Sequence, residues 1–115
     1  MGRVESVPRL TCLVSDLDDL GLLPALVDAG VDAFQVRAKT LGGRPLTALT
    51  ERVIAAARPA GALVVVNDRL DVALAAGADG VHLGATDLPV RAARRIAPGL
   101  LVGATCRSRA EVEEA

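Results

Sequence analysis

Aromatic side chains are almost missing from this sequence, which contains one Phe and no Trp or Tyr among its 115 residues. Stacking platforms of the kind that hold single-stranded nucleic acids are therefore not expected. Basic residues are not in excess either, because 13 Lys and Arg stand against 14 Asp and Glu and give a net charge of -1. Since binding to a nucleic-acid backbone needs a concentrated basic surface, the composition argues against a nucleic-acid partner.

Long hydrophobic runs are also missing, and the only cysteines are Cys12 and Cys106. No apolar run approaches the roughly 18 residues that a membrane-spanning helix needs, which argues against a membrane partner. Residues 1–6 do not form an apolar segment of signal-peptide length, so we expect a cytoplasmic protein with free thiols. The sequence has neither a GxxxxGK[ST] nor a GxGxxG motif, and nucleotide cradles of those kinds are not supported.

Hydrophobic residues, mostly Ala, Val and Leu, make up 51% of the chain. This content and the length predict that residues 1–115 form a single domain with a sizeable core. Strand patterns alternate with helix patterns along the whole sequence. The predicted strands are residues 9–15, 32–37, 62–66, 79–83 and 100–104, and a helical pattern follows each of them. Such an alternation predicts an α/β fold with a parallel sheet and right-handed crossovers.

Two arrangements of that sheet, an open one and a closed one, are compatible with the alternation of strands and helices. An open, doubly wound sheet of five strands would be complete at this length, whereas an eight-stranded barrel takes about 250 residues. Residues two apart in a strand share a face, which places Gln35 beside Arg37 and leaves Phe34 and Val36 on the other face. In the fourth strand, His82 likewise alternates with apolar neighbours. One apolar face and one face that becomes polar toward the carboxyl end predict a partial (β/α)8 TIM barrel, with about five parallel units of eight.

Six polar residues lie near or just after the carboxyl ends of the predicted strands and define a candidate site. Cations suit phosphate oxygens, with the Arg fork able to bind them bidentately. Carboxylates from two neighbouring loops suit Mg²⁺, which takes one or two of them and completes its shell with water and substrate phosphates. The pattern therefore predicts a pyrophosphate site built from two cations, two carboxylates and two neutral groups: Arg37, Lys39, Asp68, Asp87, Gln35 and Asn67.

Purely structural interpretations of these residues stay open at this point. Asp68 and Asp87 each precede a predicted helix and could serve as its N-cap. Arg37 and Lys39 could be the solvated ends of a strand. His82, the only histidine, is interpreted as an interior residue hydrogen-bonded to its neighbours in preference to a catalytic base.

Three separated segments of the chain together resemble thiamine-phosphate synthase. They are Gln-Val-Arg-Ala-Lys at 35–39, Val-Asn-Asp-Arg-Leu-Asp-Val-Ala at 66–73, and the stretch 77–89, which includes Val-His-Leu-Gly. The resemblance runs from about Leu13 to the end of the sequence. It implies a (β/α)8 barrel and an Mg²⁺-dependent transferase of thiamine biosynthesis. Such an enzyme couples 4-amino-2-methyl-5-hydroxymethylpyrimidine diphosphate with thiazole phosphate and releases thiamine phosphate and pyrophosphate.

The resemblance also implies roles for individual residues. Arg37 and Lys39 would be the catalytic cations that stabilise the departing pyrophosphate, while the pyrimidine methylene becomes a short-lived carbocation that the thiazole nitrogen attacks. Mg²⁺ would be held by Asp68 and Asp87. Thr105 stands where the family commonly has a pyrimidine-contacting Ser. The substrate-binding residues implied in this way are Gln35, Val36, Arg37, Ala38, Lys39, Asn67 and Thr105.

The family's later strands, with their phosphate-binding loops, have no counterpart in these 115 residues. We therefore expect the amino-terminal part of a barrel that is inactive or incomplete by itself and that can self-associate through its open sheet edges. One alternative is a thiazole tautomerase-like relative of the same fold, which the two carboxylates beside Arg37 and Lys39 disfavour. Another is a non-catalytic, self-associating half-barrel that binds phosphorylated ligands.

Overall fold

The structure is a computed structural model that describes residues 7–115. Residues 1–6, on which the prediction of a cytoplasmic location partly depends, lie outside the described residues. In the described part, strands and helices alternate as the sequence predicts. The elements are β1 (Thr11–Val14), α1 (Leu23–Asp28), β2 (Ala33–Val36), α2 (Gly43–Ala57), β3 (Leu63–Asn67), α3 (Leu70–Ala76), β4 (Gly80–Leu83), α4 (Val90–Ile96), β5 (Leu101–Ala104) and α5 (Arg109–Glu114).

The strands form one parallel sheet in the order β1-β2-β3-β4-β5. Each strand pairs with the strand that precedes it in the chain; Val36 stands opposite Val66, and Asn67 stands opposite His82. A doubly wound sheet reverses its strand order at a switch point, and no reversal occurs within residues 7–115. The open, doubly wound sheet is therefore excluded for this part of the chain. Parallel strands in sequential order are the arrangement found in the wall of a (β/α)8 barrel.

The two faces of the sheet differ as the strand periodicity predicts. The face toward the helices is apolar and almost completely buried. The opposite face, which would line the interior of a barrel, carries partly exposed side chains such as Gln35, Asn67 and His82. Burial of the helix-side residues removes their apolar surface from water and supplies most of the stabilising free energy. These residues are Phe34, Val36, Val64, Val66, Val81 and Leu83.

The first predicted helix is divided in two. A short 3-10 helix at Leu20–Leu22 precedes α1, and the side chain of Asp19 caps it by accepting a hydrogen bond from Gly21 N at 2.9 Å. The α-helix begins only at Leu23, since Pro24 has no amide hydrogen and fits the first turn of an α-helix. Gly30 follows the end of α1 and has a φ of +121°, which residues with a Cβ rarely adopt.

Helix α2 packs one face on the sheet and is the longest helix of the described part. The apolar Ile54 is partly exposed, whereas the polar Thr50 is buried. The Thr50 hydroxyl donates to the carbonyl of Leu46 at 2.8 Å, which satisfies a polar group in the core. The buried residues of α2 are Leu46, Leu49, Thr50, Val53 and Ala57. None of the helices between residues 7 and 115 is long and apolar enough to cross a membrane.

Strands β1 and β5 are the edges of the sheet in residues 7–115. Leu13, on the inner face of β1, is 55% exposed. Self-association through these edges stays a prediction.

Candidate functional site

The carboxyl ends of β2 to β5 surround a cleft of about 310 Å³. Parallel strands bring all their carboxyl ends to one edge of the sheet, so residues far apart in sequence meet there. Most of the residues predicted for the site lie in its wall, together with others that were not predicted. The lining comprises Leu13, Gln35, Arg37, Lys39, Asn67, Asp68, His82, Gly84, Ala85, Thr105 and Arg107.

Asp68 is held at the centre of a strained turn at the end of β3. Its φ is +69°, the one positive φ of a non-glycine residue in the described part of the chain. Arg69 N donates to the carbonyl of Asn67 at 2.8 Å and closes a three-residue turn around Asp68. Asp68 N donates to the carbonyl of His82 at 2.8 Å. Such backbone conformations cost roughly 1–3 kcal/mol and cluster at functional sites.

The Asp68 carboxylate forms an ion pair across the cleft with Lys39. Lys39 Nζ lies 2.9 Å from Asp68 Oδ2, with 58% of the lysine side chain and 26% of the aspartate side chain exposed. The exposure lets water and ions compete for both groups, so the pair contributes little to stability. Its main effect is to keep a cation and an anion at a fixed place in the cleft wall.

Asp87 reaches the same region from the loop after β4. Its Oδ2 atom accepts a hydrogen bond from Gly84 N at 2.7 Å. A Cβ atom added to Gly84 would lie 3.1 Å from Asp87 Oδ2 and 3.8 Å from Asp68 Oδ1. The missing side chain of Gly84 therefore leaves the space in which the two carboxylates approach each other.

Neither aspartate is a helix cap. The N-cap of α3 is Arg69 and that of α4 is Pro89, and neither helix has a side-chain cap hydrogen bond. The interpretation of Asp68 and Asp87 as N-caps is wrong, since the strained turn at Asp68 and the Gly84 contact of Asp87 direct both carboxylates elsewhere. The interpretation of Lys39 as a merely solvated strand end is also wrong, because it pairs with Asp68.

The two carboxyl groups are close enough to perturb each other's ionisation. Burial raises the pKa of Asp87, and the neighbouring Asp68 raises it further through a hydrogen bond and through its charge. Burial also raises the pKa of Asp68, but the hydrogen bond from Lys39, the contact with Asp87 and the charges of Lys39 and Arg37 together lower it below its ordinary value. A proton therefore binds to Asp87 before it binds to Asp68, and a cation at this place would relieve the repulsion between them.

This donor set fits Mg²⁺. The described residues contain no group of three or more His, Cys, Asp or Glu side chains able to hold a metal. Zinc and other ions that require a full set of protein ligands are therefore poorly served. Mg²⁺ keeps several water molecules and needs only one or two carboxylates, and Asp68 and Asp87 are two carboxylates that would suit it.

Gln35 and Asn67 are joined on the inner face of the sheet, beneath the charged residues. Asn67 Nδ2 donates to Gln35 Oε1 at 3.0 Å. The bond leaves the amide nitrogen of Gln35 and the amide oxygen of Asn67 for other partners, so the pair can offer one donor group and one acceptor to a ligand.

His82 contacts Thr105 at the far side of the cleft, with 2.9 Å between Nε2 and Oγ1. Gly103 provides room for the ring, because a Cβ atom there would lie 2.8 Å from His82 Nδ1. The predicted hydrogen bond of His82 to a neighbour is present, but the ring is partly exposed and lines the cleft, so its assignment as an interior residue in preference to a catalytic base stays a prediction. Thr105, predicted to contact the substrate, lies in the cleft wall with its hydroxyl oriented by this contact.

Val36 and Ala38 are not brought into the cleft. Val36 is fully buried in the layer between sheet and helices, and Ala38 is 8% exposed. Neither residue lines the cleft, and their predicted role in substrate binding stays a prediction. Arg37, between them, is exposed and lines the cleft, and its backbone N–H donates to the carbonyl of Val14 at 2.8 Å.

Arg107 is the charged residue of the cleft that sequence reasoning missed. It follows β5 by three residues and lines the cleft together with Thr105. The available signal was its place at a strand end, which also marked Arg37 and Lys39. It was not used because a single cation in a loop forms no pattern.

Comparison with known proteins places these observations in a family. The model of the family described as thiamine monophosphate synthase matches residues 11–115. The thiamine-phosphate synthase of Chlorobium luteolum is 46% identical over 102 residues, which cover 86% of this chain and 48% of that protein. The thiamine-phosphate synthase of Methanoculleus marisnigri is 55% identical over 91 residues, which cover 78% of this chain and 42% of that protein.

A solved structure has the same fold over most of the described chain. Thiamine phosphate pyrophosphorylase from Pyrococcus furiosus superposes with a TM-score of 0.82 and 34% sequence identity, over 92% of this chain and 54% of that one. The predicted α/β fold with barrel order is confirmed. The chain spans about half the length of the curated relatives it matches.

Proposed function

Because the chain belongs to the thiamine monophosphate synthase family, we propose that its cleft binds the pyrimidine diphosphate and Mg²⁺ in thiamine phosphate synthesis. The single observation that carries the proposal is the meeting of Lys39, Asp68 and Asp87 beside Gly84 at the carboxyl end of the sheet. The family's activity belongs to proteins about twice as long, so the proposal for this chain concerns one part of the complete site.

The charged residues at the cleft have different roles according to the sign of their charge. Arg37 and Lys39 bind phosphate oxygens and stabilise the negative charge that develops on the departing diphosphate. Asp68 and Asp87 would hold Mg²⁺, which when bound supplies further neutralisation of that charge. Lys39 also holds Asp68 in its ionised form, because the hydrogen bond from Lys39 lowers the pKa of that carboxyl.

The neutral residues suit the pyrimidine ring. Gln35 and Asn67 offer a donor and an acceptor from the inner face, and the Thr105 hydroxyl is oriented by His82. A pyrimidine that carries an amino group and ring nitrogens needs both kinds of partner. In this arrangement the methylene carbon between ring and diphosphate loses its leaving group and is attacked by the thiazole nitrogen, so no nucleophile from the protein is required.

Binding, and not turnover, is the direct test for this chain. Inorganic pyrophosphate is titrated by calorimetry into the 115-residue chain with and without MgCl2. We expect Mg²⁺ to tighten pyrophosphate binding at least tenfold in the wild type and not in Asp68→Asn. Without Mg²⁺, Asp68→Asn is expected to bind pyrophosphate more tightly than the wild type, because a repelling carboxylate is gone and Lys39 is released.

Asp71→Asn is the matched control, since Asp71 lies nearby in α3, is paired with Arg69 and is 69% exposed. It should keep the Mg²⁺ effect. Equal Mg²⁺ dependence in the wild type and in Asp68→Asn would contradict the proposal. Binding of inorganic phosphate with no effect of Mg²⁺ would favour a phosphate-binding relative without synthase chemistry. A cytoplasmic location is part of the proposal and can be tested by fractionating cells that express the tagged chain.

A further inference from the structure

We propose that Arg107 is a further anion-binding residue of the cleft and binds a phosphate group on the side of β5. The inference rests on the proposed function for the identity of the ligand. Arg107 lies three residues beyond β5, and Arg37 lies directly after β2. Strands β3 and β4 separate β2 from β5 in the sheet, so the two arginines belong to different parts of the cleft wall.

Within the cleft wall, ion pairing distinguishes these two arginines from Lys39. Lys39, Arg58, Arg69 and Arg109 each have a carboxylate partner within 3.3 Å. In residues 7–115, the guanidinium groups that line the cleft form no ion pair. Six arginines outside the cleft also form no ion pair within residues 7–115, so the feature of Arg37 and Arg107 is the combination of an unpaired side chain with a place in the cleft wall. A planar fork of donors that the protein leaves unpaired in a cleft wall is suited to bidentate binding of phosphate oxygens.

The backbone that carries Arg107 is fixed by the start of α5. Arg107 N donates to Glu111 Oε1 at 2.8 Å, and Glu111 N donates to Ser108 Oγ at 3.2 Å. These reciprocal bonds are those of a helix-capping arrangement, and they hold the loop at the edge of the cleft. Arg107 therefore starts from a positioned backbone, and the part of the chain that binding would have to order is its side chain.

The charge balance of the cleft also favours an anion. The charged residues that line the cleft are three cations, Arg37, Lys39 and Arg107, and one carboxylate, Asp68, which leaves an excess of positive charge before any metal is added. Asp87 approaches Asp68 beside Gly84 but is not part of this lining. A divalent cation between the carboxylates would increase the excess to a value that suits a diphosphate. The phosphate group on the Arg107 side comes either from this diphosphate or from a separate monophosphate, and the two sources require different ligands in the test.

The test compares Arg107→Gln with Arg109→Gln, a matched control two residues away whose side chain is 92% exposed and paired with Glu113. Calorimetric titrations use inorganic pyrophosphate with MgCl2 and, separately, inorganic phosphate alone. We expect Arg107→Gln to weaken binding about tenfold, as for loss of charge-assisted hydrogen bonds, while Arg109→Gln leaves it unchanged. Arg107→Lys should recover part of the loss, since it keeps the charge and loses the fork.

Weaker pyrophosphate binding with unchanged phosphate binding assigns the contact to the diphosphate, and weaker binding of phosphate assigns it to a monophosphate. Unchanged binding of both anions, or equal losses in Arg109→Gln, overturns the proposal for Arg107. The proposed function fails separately, if wild-type binding shows no Mg²⁺ dependence while Arg107→Gln still loses phosphate affinity. A wild-type chain that binds neither anion overturns both, and circular dichroism of each variant checks that it is folded.

Discussion

Aspartates lie near both ends of the parallel sheet, and their partners differ between the two ends. At the amino end, Asp79 accepts a hydrogen bond from Val64 N at 2.9 Å and pairs with Arg58 at 3.3 Å. Asp32 there accepts hydrogen bonds from the backbone N–H groups of Arg9 and Leu10. At the carboxyl end, the carboxylates of Asp68 and Asp87 lie close together and repel each other. The ion pair of Asp68 with Lys39 balances only part of their negative charge.

The aspartates at the two ends of the sheet differ in which groups would lose a partner if the carboxylate were removed. Removal of an amino-end aspartate leaves backbone N–H groups of a neighbouring segment without their acceptor, so these residues hold the sheet together. Removal of Asp68 takes away a repulsion and releases Lys39. Removal of Asp87 takes away the same repulsion, and the N–H group that loses its acceptor is that of Gly84 in the same loop and not one of a neighbouring segment. Position at a strand end therefore does not identify a functional carboxylate, whereas the nature of its partners does.

Loss of Asp79 should have the largest effect. Its side chain is 3% exposed, and in Asp79→Ala the buried Val64 N–H would lose its acceptor while Arg58 would lose its ion-pair partner. We expect the free energy of unfolding to fall by about 3 kcal/mol, measured by urea denaturation. Asp28→Ala, an exposed site on α1, is the control and should change stability by less than about 0.5 kcal/mol. Similar small losses in both variants would remove the distinction between the two ends.

Replacement of Asp68 should change the free energy of unfolding less than loss of Asp79. Whether the variant is more or less stable depends on how well the new residue adopts the backbone conformation at position 68. Asp68→Gly and Asp68→Ala both lack the carboxylate, but only Gly adopts the φ of +69° without strain. Asp68→Gly should therefore be more stable than Asp68→Ala by about 1 kcal/mol in urea denaturation, and it should be no less stable than the wild type. A glycine variant that is clearly less stable than the wild type would mean that Asp68 also holds the sheet together.

The smallest expected effect is on the pH dependence of stability. Hydrogen bonds from the backbone of Arg9 and Leu10 hold the pKa of Asp32 below its ordinary value of 3.8. Asp32 therefore contributes stability above pH 3.8 that is lost as the pH falls through its lowered pKa. Asp87, whose pKa is raised by burial and by Asp68, contributes in the opposite direction: its protonation in the folded state adds stability as the pH falls through that raised pKa.

Urea denaturation of Asp32→Asn and Asp87→Asn from pH 6 to about pH 3 in metal-free buffer measures both contributions. Relative to the wild type, Asp32→Asn should lose less stability below pH 3.8, and Asp87→Asn should lack the gain that begins above that pH. Profiles that change in the same direction in both variants would contradict the comparison.

The order of the elements and the meeting of the strand ends were predictable from the sequence. Alternation of Phe34 and Val36 with Gln35 is enough to assign the faces of β2, and parallel pairing then brings Asp68 and Asp87 to one edge. The strained turn at Asp68 was not predictable, since aspartate before a helix is also the pattern of an N-cap. The choice between the two depends on tertiary contacts such as the hydrogen bond from Asp68 N to the carbonyl of His82.

The roles of single charged residues were less predictable for a related reason. Asp79 precedes a strand and Asp87 follows one. The residues around Asp79 in the sequence do not indicate that its carboxylate accepts a hydrogen bond from the neighbouring strand β3. Arg107 was missed because a lone cation in a loop has no periodic pattern, and its place in the cleft depends on the pairing of β4 with β5.

The sequential strand order also has a consequence for how the molecule assembles. Each strand pairs with the strand made just before it, so every contact between neighbouring strands can form as soon as one more β/α unit has left the ribosome. Domains tend to fold from the amino terminus during synthesis, and closure of shorter loops loses less chain entropy. A chain of this topology can therefore extend its sheet by one β/α unit at a time. At each step the most recently added strand is the edge with which the next strand pairs.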